Sequence, residues 1–237
     1  MKSKDKIGMC MILLVLILLP ISIAFAPTAP DIINSTERSI NPEAGWMLNN
    51  SGGTITTLNL NATTQNYRWK GFVGNINGEF ALMDSSSSSL YDWDVTTISG
   101  EIYATRNNSI INWADVSCAT DSIVEDEQDN LSISTSNFDS INNTFNQQAH
   151  DEFYVGYVKI TQDSCKTTAL NVNNTEQTEY FQELLLTDGN NLIYASLLED
   201  SQYGFDNQTY DFQMIVAENA ALGQQPNEAY YFYVELI

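Results

Sequence analysis

The stretch from Tyr67 to Cys118 limits what this chain can become more than any other. It reads YRWKGFVGNINGEFALMD, then five serines, then LYDWDVTTISGEIYAT and, after a short turn, SIINWADVSC. Three of the four tryptophans lie in it: Trp69, Trp93 and Trp113. The two-residue period of a strand puts Trp69 and Val73 on one side. It puts Tyr91, Trp93 and Val95 on one face of a second strand, with Asp92 and Asp94 on the other. Gly71 and Gly74 mark a bulge or a close approach of another backbone. Ser85 to Ser89 is the loop of a hairpin. The expected fold is all-β: an antiparallel β-sandwich, immunoglobulin-like or jelly-roll-like, with one short helix and a hydrophobic helix ahead of it.

Ile7 to Ala26, IGMCMILLVLILLPISIAFA, is a 20-residue run without a charge. That length can cross a bilayer, and Lys2, Lys4 and Lys6 before it predict an inside N-terminus. The layout is also that of a secretory signal, with Ser22-Ile-Ala24 as small residues for cleavage before Phe25. Cleaved signal and retained anchor both stand. Lys6-Ile7-Gly8 also resembles a pilin-type processing site, but the acidic residue early in the run is missing and APTAP would stop a helix continuing into the domain. Prolines 27, 30 and 42 make 27–45 an extended linker that holds the domain off the membrane. The domain is 46–237, with 46–118 and 151–237 as candidate halves.

Beyond this stretch, Thr54 to Asn61 (TITTLNLN) alternates and reads as a strand. Asp121 to Asn130 reads as an acidic loop. Ser136 is placed to cap a helix with Asp139 three residues on, and Phe138, Ile141, Phe145 and Ala149 recur at helical spacing up to His150. Strands are then predicted at 153–161, 167–172, 180–187, 191–198, 211–218 and 229–237. The last is so apolar that its edge needs a partner. Glu79-Phe-Ala-Leu-Met-Asp84 followed by Leu90-Tyr91 echoes Glu183-Leu-Leu-Leu-Thr-Asp188 followed by Leu192-Ile-Tyr194. Both read as hairpins.

Cys118 and Cys165 are the cysteines beyond the apolar run, and in an oxidising compartment they pair. A thiol nucleophile or metal ligand would need a histidine, and the chain has one, His150. At the end of the predicted helix, its expected role is a cation facing the helix C-terminus. A catalytic triad would have to use it, and no Gly-x-Ser-x-Gly elbow is present. Carboxylates are numerous enough to supply a glycosidase pair, but no local signature singles one out. The acidic segment offers Ca²⁺ oxygen ligands at Asp121, Glu125, Asp126, Glu127 and Asp129, without the spacing or glycine of a calcium loop. A solvated acidic loop is the other reading.

N-x-S/T sequons occur at Asn34, Asn49, Asn61, Asn107, Asn130, Asn142, Asn173 and Asn207, mostly in predicted turns where a glycan can attach. Trp69, Trp93 and Trp113, and Tyr231 and Tyr233 on the last strand, are candidate contacts for a sugar ring or partner; for the tryptophans the competing role is core. The net charge of -21 becomes about -23 once the first 26 residues are set aside. Phosphate backbones repel such a domain, so nucleic acid is excluded as a partner. Salt adaptation would give the same acidity.

W-x-G-x-x-G in WKGFVG, then YDW, GEIYAT, a tryptophan before a cysteine, and the ending YDFQMIVAEN…YYFYVEL resemble uncharacterised secreted surface proteins of archaea. The resemblance covers most of the exported part and implies a cell-envelope setting; it supplies no functional residues. The expected function is a non-catalytic structural or adhesion protein displayed outside the membrane, or secreted if the signal is cleaved. Its partners would be the membrane, other envelope proteins or glycans. A carbohydrate-binding module and a secreted glycosidase are the alternatives.

Overall fold

The computed structural model describes residues 26–40, 45, 47–108, 111–219 and 228–237. The expected N-terminal hydrophobic helix, apart from Ala26, and Trp46 lie outside them. Sixteen strands are described. The first four are β1 (Trp69–Gly74), β2 (Glu79–Met83), β3 (Ser89–Asp94) and β4 (Gly100–Thr105). After a 3-10 turn (Trp113–Asp115) come β5 (Ser117–Cys118), helix α1 (Asp121–Asn130) and helix α2 (Ile141–Thr144). Short strands follow: β6 (Phe153–Val155), β7 (Val158–Ile160), β8 (Thr167–Thr168), β9 (Leu170–Val172) and β10 (Thr175–Gln177). The chain continues with β11 (Glu183–Thr187), β12 (Leu192–Leu197), β13 (Gln202–Tyr203), β14 (Thr209–Tyr210), β15 (Phe212–Ala217) and β16 (Tyr231–Leu236). All the pairings are antiparallel.

The central sheet runs β16-β4-β12-β11-β5, with β8 also on β11. It is covered on both faces, which explains why its strands read as unbroken apolar runs such as LLL and LIYAS. Ile102, Ala104, Leu185 and Tyr194 point to one side, into a core shared with Met214 and Val216 of β15 and Val124 of α1. Tyr103, Leu184, Leu186, Ile193 and Ala195 point to the other, against Phe153, Val155 and Ile160 of the β6–β7 hairpin. β1 pairs with β15 over six residues, so chain from both sides of the Cys118–Cys165 loop shares sheets. Gly100 begins β4 at φ +126, where a Cβ would collide with the Glu235 carbonyl of β16. Only glycine lets the last strand lie this close.

Four sequence readings are corrected. The acidic segment 121–130 is a helix: Thr120 caps it by accepting the Ile123 N–H at 3.4 Å, and Val124 and Gln128, four apart, are buried. The predicted helix over 136–150 is reduced to the four residues of α2, capped by Ser140 and not Ser136, with Phe138 86% exposed. There the asparagines bond backbone locally: Asn143 Nδ2 donates to Asn137 O at 2.6 Å and Asn146 Nδ2 to Asn143 O at 2.7 Å, in place of a continued helical ladder. Residues 153–161 form a hairpin, turned at Gly156 (φ 58), instead of one strand. Thr54 to Asn61 is no strand: among the described residues no strand pairs with it, and Ile55, Leu58 and Leu60 stand in solvent.

The linker does not hang free. Thr28 forms an antiparallel bridge with Val234, N–H to O at 2.9 and 2.7 Å. Arg38 donates to Asp206 at 3.2 Å and to the Tyr210 hydroxyl at 3.3 Å, and lies over the Phe205 ring.

Candidate functional site

The β2–β3 hairpin pairs two strands that contribute no buried residue to either core. Phe80 lies opposite Trp93 and Leu82 opposite Tyr91, so these four share one face. They are 46%, 51%, 54% and 59% exposed, in that order, and the Tyr91 and Trp93 rings sit 4.8 Å apart. Glu79, Ala81, Asp92 and Asp94 alternate with them on the other face. Asp84 shapes the turn: its Oδ1 accepts the N–H of Ser86 at 2.8 Å and of Ser88 at 3.0 Å, and these donors hold its carboxyl below the usual range. The β11–β12 hairpin is built the same way, with Asp188 Oδ1 accepting from Asn190 and Asn191 at 3.0 and 2.8 Å. The echo in sequence is an echo in structure, but β11 is buried at every position whereas β2 and β3 are almost wholly exposed.

The other candidate aromatics separate. Trp69 belongs to the core: it packs near Phe145 and its Nε1 donates to Asp139 O at 2.9 Å. Trp113 is wedged between Tyr103 and Tyr233, at 5.1 and 5.2 Å, which leaves Tyr233 half-buried. Trp93 and Tyr231 remain exposed. Tyr231 lines a second feature, an open polar cleft of about 370 Å³ with Arg106, Asn108, Asp126, Asn130 and Asn191. Arg106 is fixed there by Glu127 at 2.7 and 2.9 Å and by Glu228 at 2.9 Å; the Glu127 bonds first, then Glu228, raise its pKa above the usual range.

The acidic residues do not converge. Asp121 pairs with Lys166 and Glu127 with Arg106, while Glu125, Asp126 and Asp129 face solvent along α1. Among the described residues no three His, Cys, Asp or Glu side chains are grouped to hold a metal. Cys118 and Cys165 form the expected disulfide. His150 is not at a helix end: it is buried beside that disulfide, and its Nε2 accepts the backbone N–H of Ser164 at 3.1 Å and of Cys165 at 3.0 Å. Nδ1 therefore carries the proton and donates to Asp151 O at 2.8 Å. The cation at a helix terminus is replaced by a neutral ring that orders the chain around Cys165.

Of the sequons, Asn34, Asn49, Asn61, Asn130, Asn173 and Asn207 are exposed. Asn173 and Asn207 sit at turn positions with φ 49 and 63. Asn107 and Asn142 are half-buried; Asn107 Nδ2 donates to Asn191 at 2.5 Å and Asn142 Oδ1 accepts from Lys166 at 2.8 Å.

Sequence reasoning missed a carboxylate pair. Glu101 and Glu235 are directly opposite on β4 and β16, 2% and 8% exposed. Burial first, then the charge of Glu235, pushes Glu101 up to about 8. Glu235 accepts the Gly156 N–H at 2.9 and 3.0 Å and the Tyr103 hydroxyl at 3.4 Å, and burial raises it as well. The signal was there: each glutamate alternates with a tyrosine (Tyr103, Tyr233) on the face of its strand that turns inward.

Among the described residues no helix is long and apolar enough to cross a membrane. Compared with family models, curated proteins and solved structures, the chain matches none.

Proposed function

We propose that this chain is a non-catalytic structural or adhesion protein of a cell envelope, displayed outside the membrane on an antiparallel β-sandwich. The observation that carries the reading is the β2–β3 hairpin, a paired two-stranded element whose apolar-aromatic face stays uncovered beside two closed cores and a disulfide. Contiguous apolar surface of this kind marks an interaction site. The disulfide favours an oxidising compartment. The sandwich reading is supported by the β1–β15 pair, which packs on one face of the central sheet through Met214 and Val216. Fractionation of the native envelope tests the proposal, with intact mass measured before and after reduction. An abundant, membrane-associated, disulfide-bonded species is expected; a scarce cleaved form in the medium would overturn it.

A second reading rests on the cleft beside Tyr231. Amides from Asn108, Asn130 and Asn191 with the Asp126 carboxylate present the mixed donors and acceptors that sugar hydroxyls need, beside an exposed aromatic ring. Retention on immobilised polysaccharides that Tyr231→Ala abolishes would favour a carbohydrate-binding module. The glycosidase alternative gains nothing from Glu101 and Glu235, whose raised proton affinity comes with exclusion from solvent.

A further inference from the structure

The hairpin's occupant can be read from where it leaves the domain. Its base at Gly78 lies so close to β16 that a Cβ there would overlap the Leu236 side chain, and Gly78 O accepts the Val95 N–H at 3.3 Å. Two residues before Leu236, Val234 is bridged to Thr28. The uncharged run Ile7–Ala26 ends two residues before Thr28, and two residues reach at most about 7 Å. The exposed aromatic hairpin therefore springs from the corner at which the apolar run joins the domain. Residues 27–45 do not set the domain at a distance, because the bridge is made at their second residue.

The hairpin's chemistry narrows the surface it meets. Tyr91 and Trp93 with apolar Phe80 and Leu82 on one face match the headgroup boundary of a bilayer, where amphipathic rings concentrate. Residues 79–94 hold Glu79, Asp84, Asp92 and Asp94 and no Lys or Arg. A second copy would bring the same four carboxylates, and an anionic leaflet a field of the same sign. A zwitterionic surface imposes neither cost. The buried β11–β12 hairpin shows what becomes of this apolar pattern when protein covers it.

We propose that the Phe80, Leu82, Tyr91 and Trp93 face of the β2–β3 hairpin lies in the interface of an uncharged or zwitterionic lipid surface, holding the domain against the membrane that residues 7–26 enter. This rests on the membrane-held reading above. The test uses the full chain in phosphatidylcholine vesicles with and without brominated acyl chains. The Trp93 contribution is taken as the difference between the native chain and Trp93→Phe. If Trp93 sits at the acyl boundary, its emission falls when the acyl chains carry bromine. Phe80→Ser with Leu82→Ser, at exposed positions that belong to neither core, should remove the quenching and leave the near-ultraviolet circular dichroism intact. Replacing half the lipid with phosphatidylglycerol should weaken the quenching at low ionic strength, and salt should restore it. Alkaline carbonate separates the two failures. A chain that carbonate releases sinks the membrane-held reading and this inference with it. A retained chain with Trp93 unquenched overturns the inference alone and leaves the face to a glycan or a protein.

Discussion

Glu101 occupies a position where strand alternation calls for an apolar side chain, and its neighbours keep its proton on. The sign of the pH effect follows. Its folded pKa, about 8, lies above the 4.5 of an ordinary glutamate. The protonated form is the one the fold accepts, so its contribution is complete below pH 4.5 and is lost as pH rises to 8. The gap corresponds to a loss on the order of 4–5 kcal/mol above pH 8, and Glu183 and Glu235, also raised by burial, act in the same direction. The difference between urea midpoints at pH 5 and pH 9 should be larger in the native chain than in Glu101→Gln, which keeps the contributions of Glu183 and Glu235; equal differences in both would show that Glu101 ionises freely. His150 offers a second residue-scale test. His150→Ala leaves the N–H groups of Ser164 and Cys165 without their acceptor, at about 1–3 kcal/mol for the buried Cys165 donor and less for the part-buried Ser164 one. A thermal midpoint unchanged by the substitution would mean that water replaces the ring.

At the scale of elements, the two echoing hairpins separate what the residue pattern encodes from what it does not. Alternation and the serine loop were enough to find β2–β3, and the echo of that pattern to find β11–β12. The unbroken apolar run of β11 is that of a strand covered on both faces, but the alternation of β2–β3 implies one covered face and does not say that the face is left in solvent. Their variants should diverge accordingly. Phe80→Ser with Leu82→Ser should leave the thermal midpoint within a degree or two, by analogy with other surface sites. Leu184→Ser with Leu186→Ser removes two fully buried side chains and should cost roughly 4 kcal/mol or more, enough to prevent folding. Comparable losses in the two pairs would mean that the β2–β3 face is covered within the monomer. The helices were misread for a related reason. In α1 the acidic composition hid the spacing of Val124 and Gln128 and of Leu131 just past its end, all buried, whereas in 136–150 an apolar spacing was outweighed by Asn and Ser side chains bonding nearby backbone. The last strand depends on Gly100; Gly100→Ala drives a Cβ into the Glu235 carbonyl. It should mimic removal of 229–237, with both variants insoluble on expression.

For the whole molecule, the question is how a chain this acidic holds a wall of its core in place. The Cys118–Cys165 bond closes a loop of sequence separation 47. That loop contains α1 and α2 and supplies Val124, Leu131, Ile141 and Phe145 to the core. Both ends of the loop are already fixed in the folded state: Cys118 in β5 pairs with Leu186, and β8, two residues after Cys165, pairs with Leu184 and Glu183. The sulfur link therefore adds little order to the fold and acts mainly by shrinking the unfolded ensemble, by roughly 4 kcal/mol for a loop of this size. Cys118→Ser with Cys165→Ser should lower stability by about that amount while β5 and β8 keep their pairing on β11. The reduced unfolded chain exposes more surface, so the denaturant slope should rise as the midpoint falls. Chemical denaturation of the double variant beside the native chain, in the same salt to hold charge repulsion constant, measures both quantities. A lower midpoint with an unchanged slope would place the disulfide's effect in the folded state, at the contacts His150 arranges around Cys165.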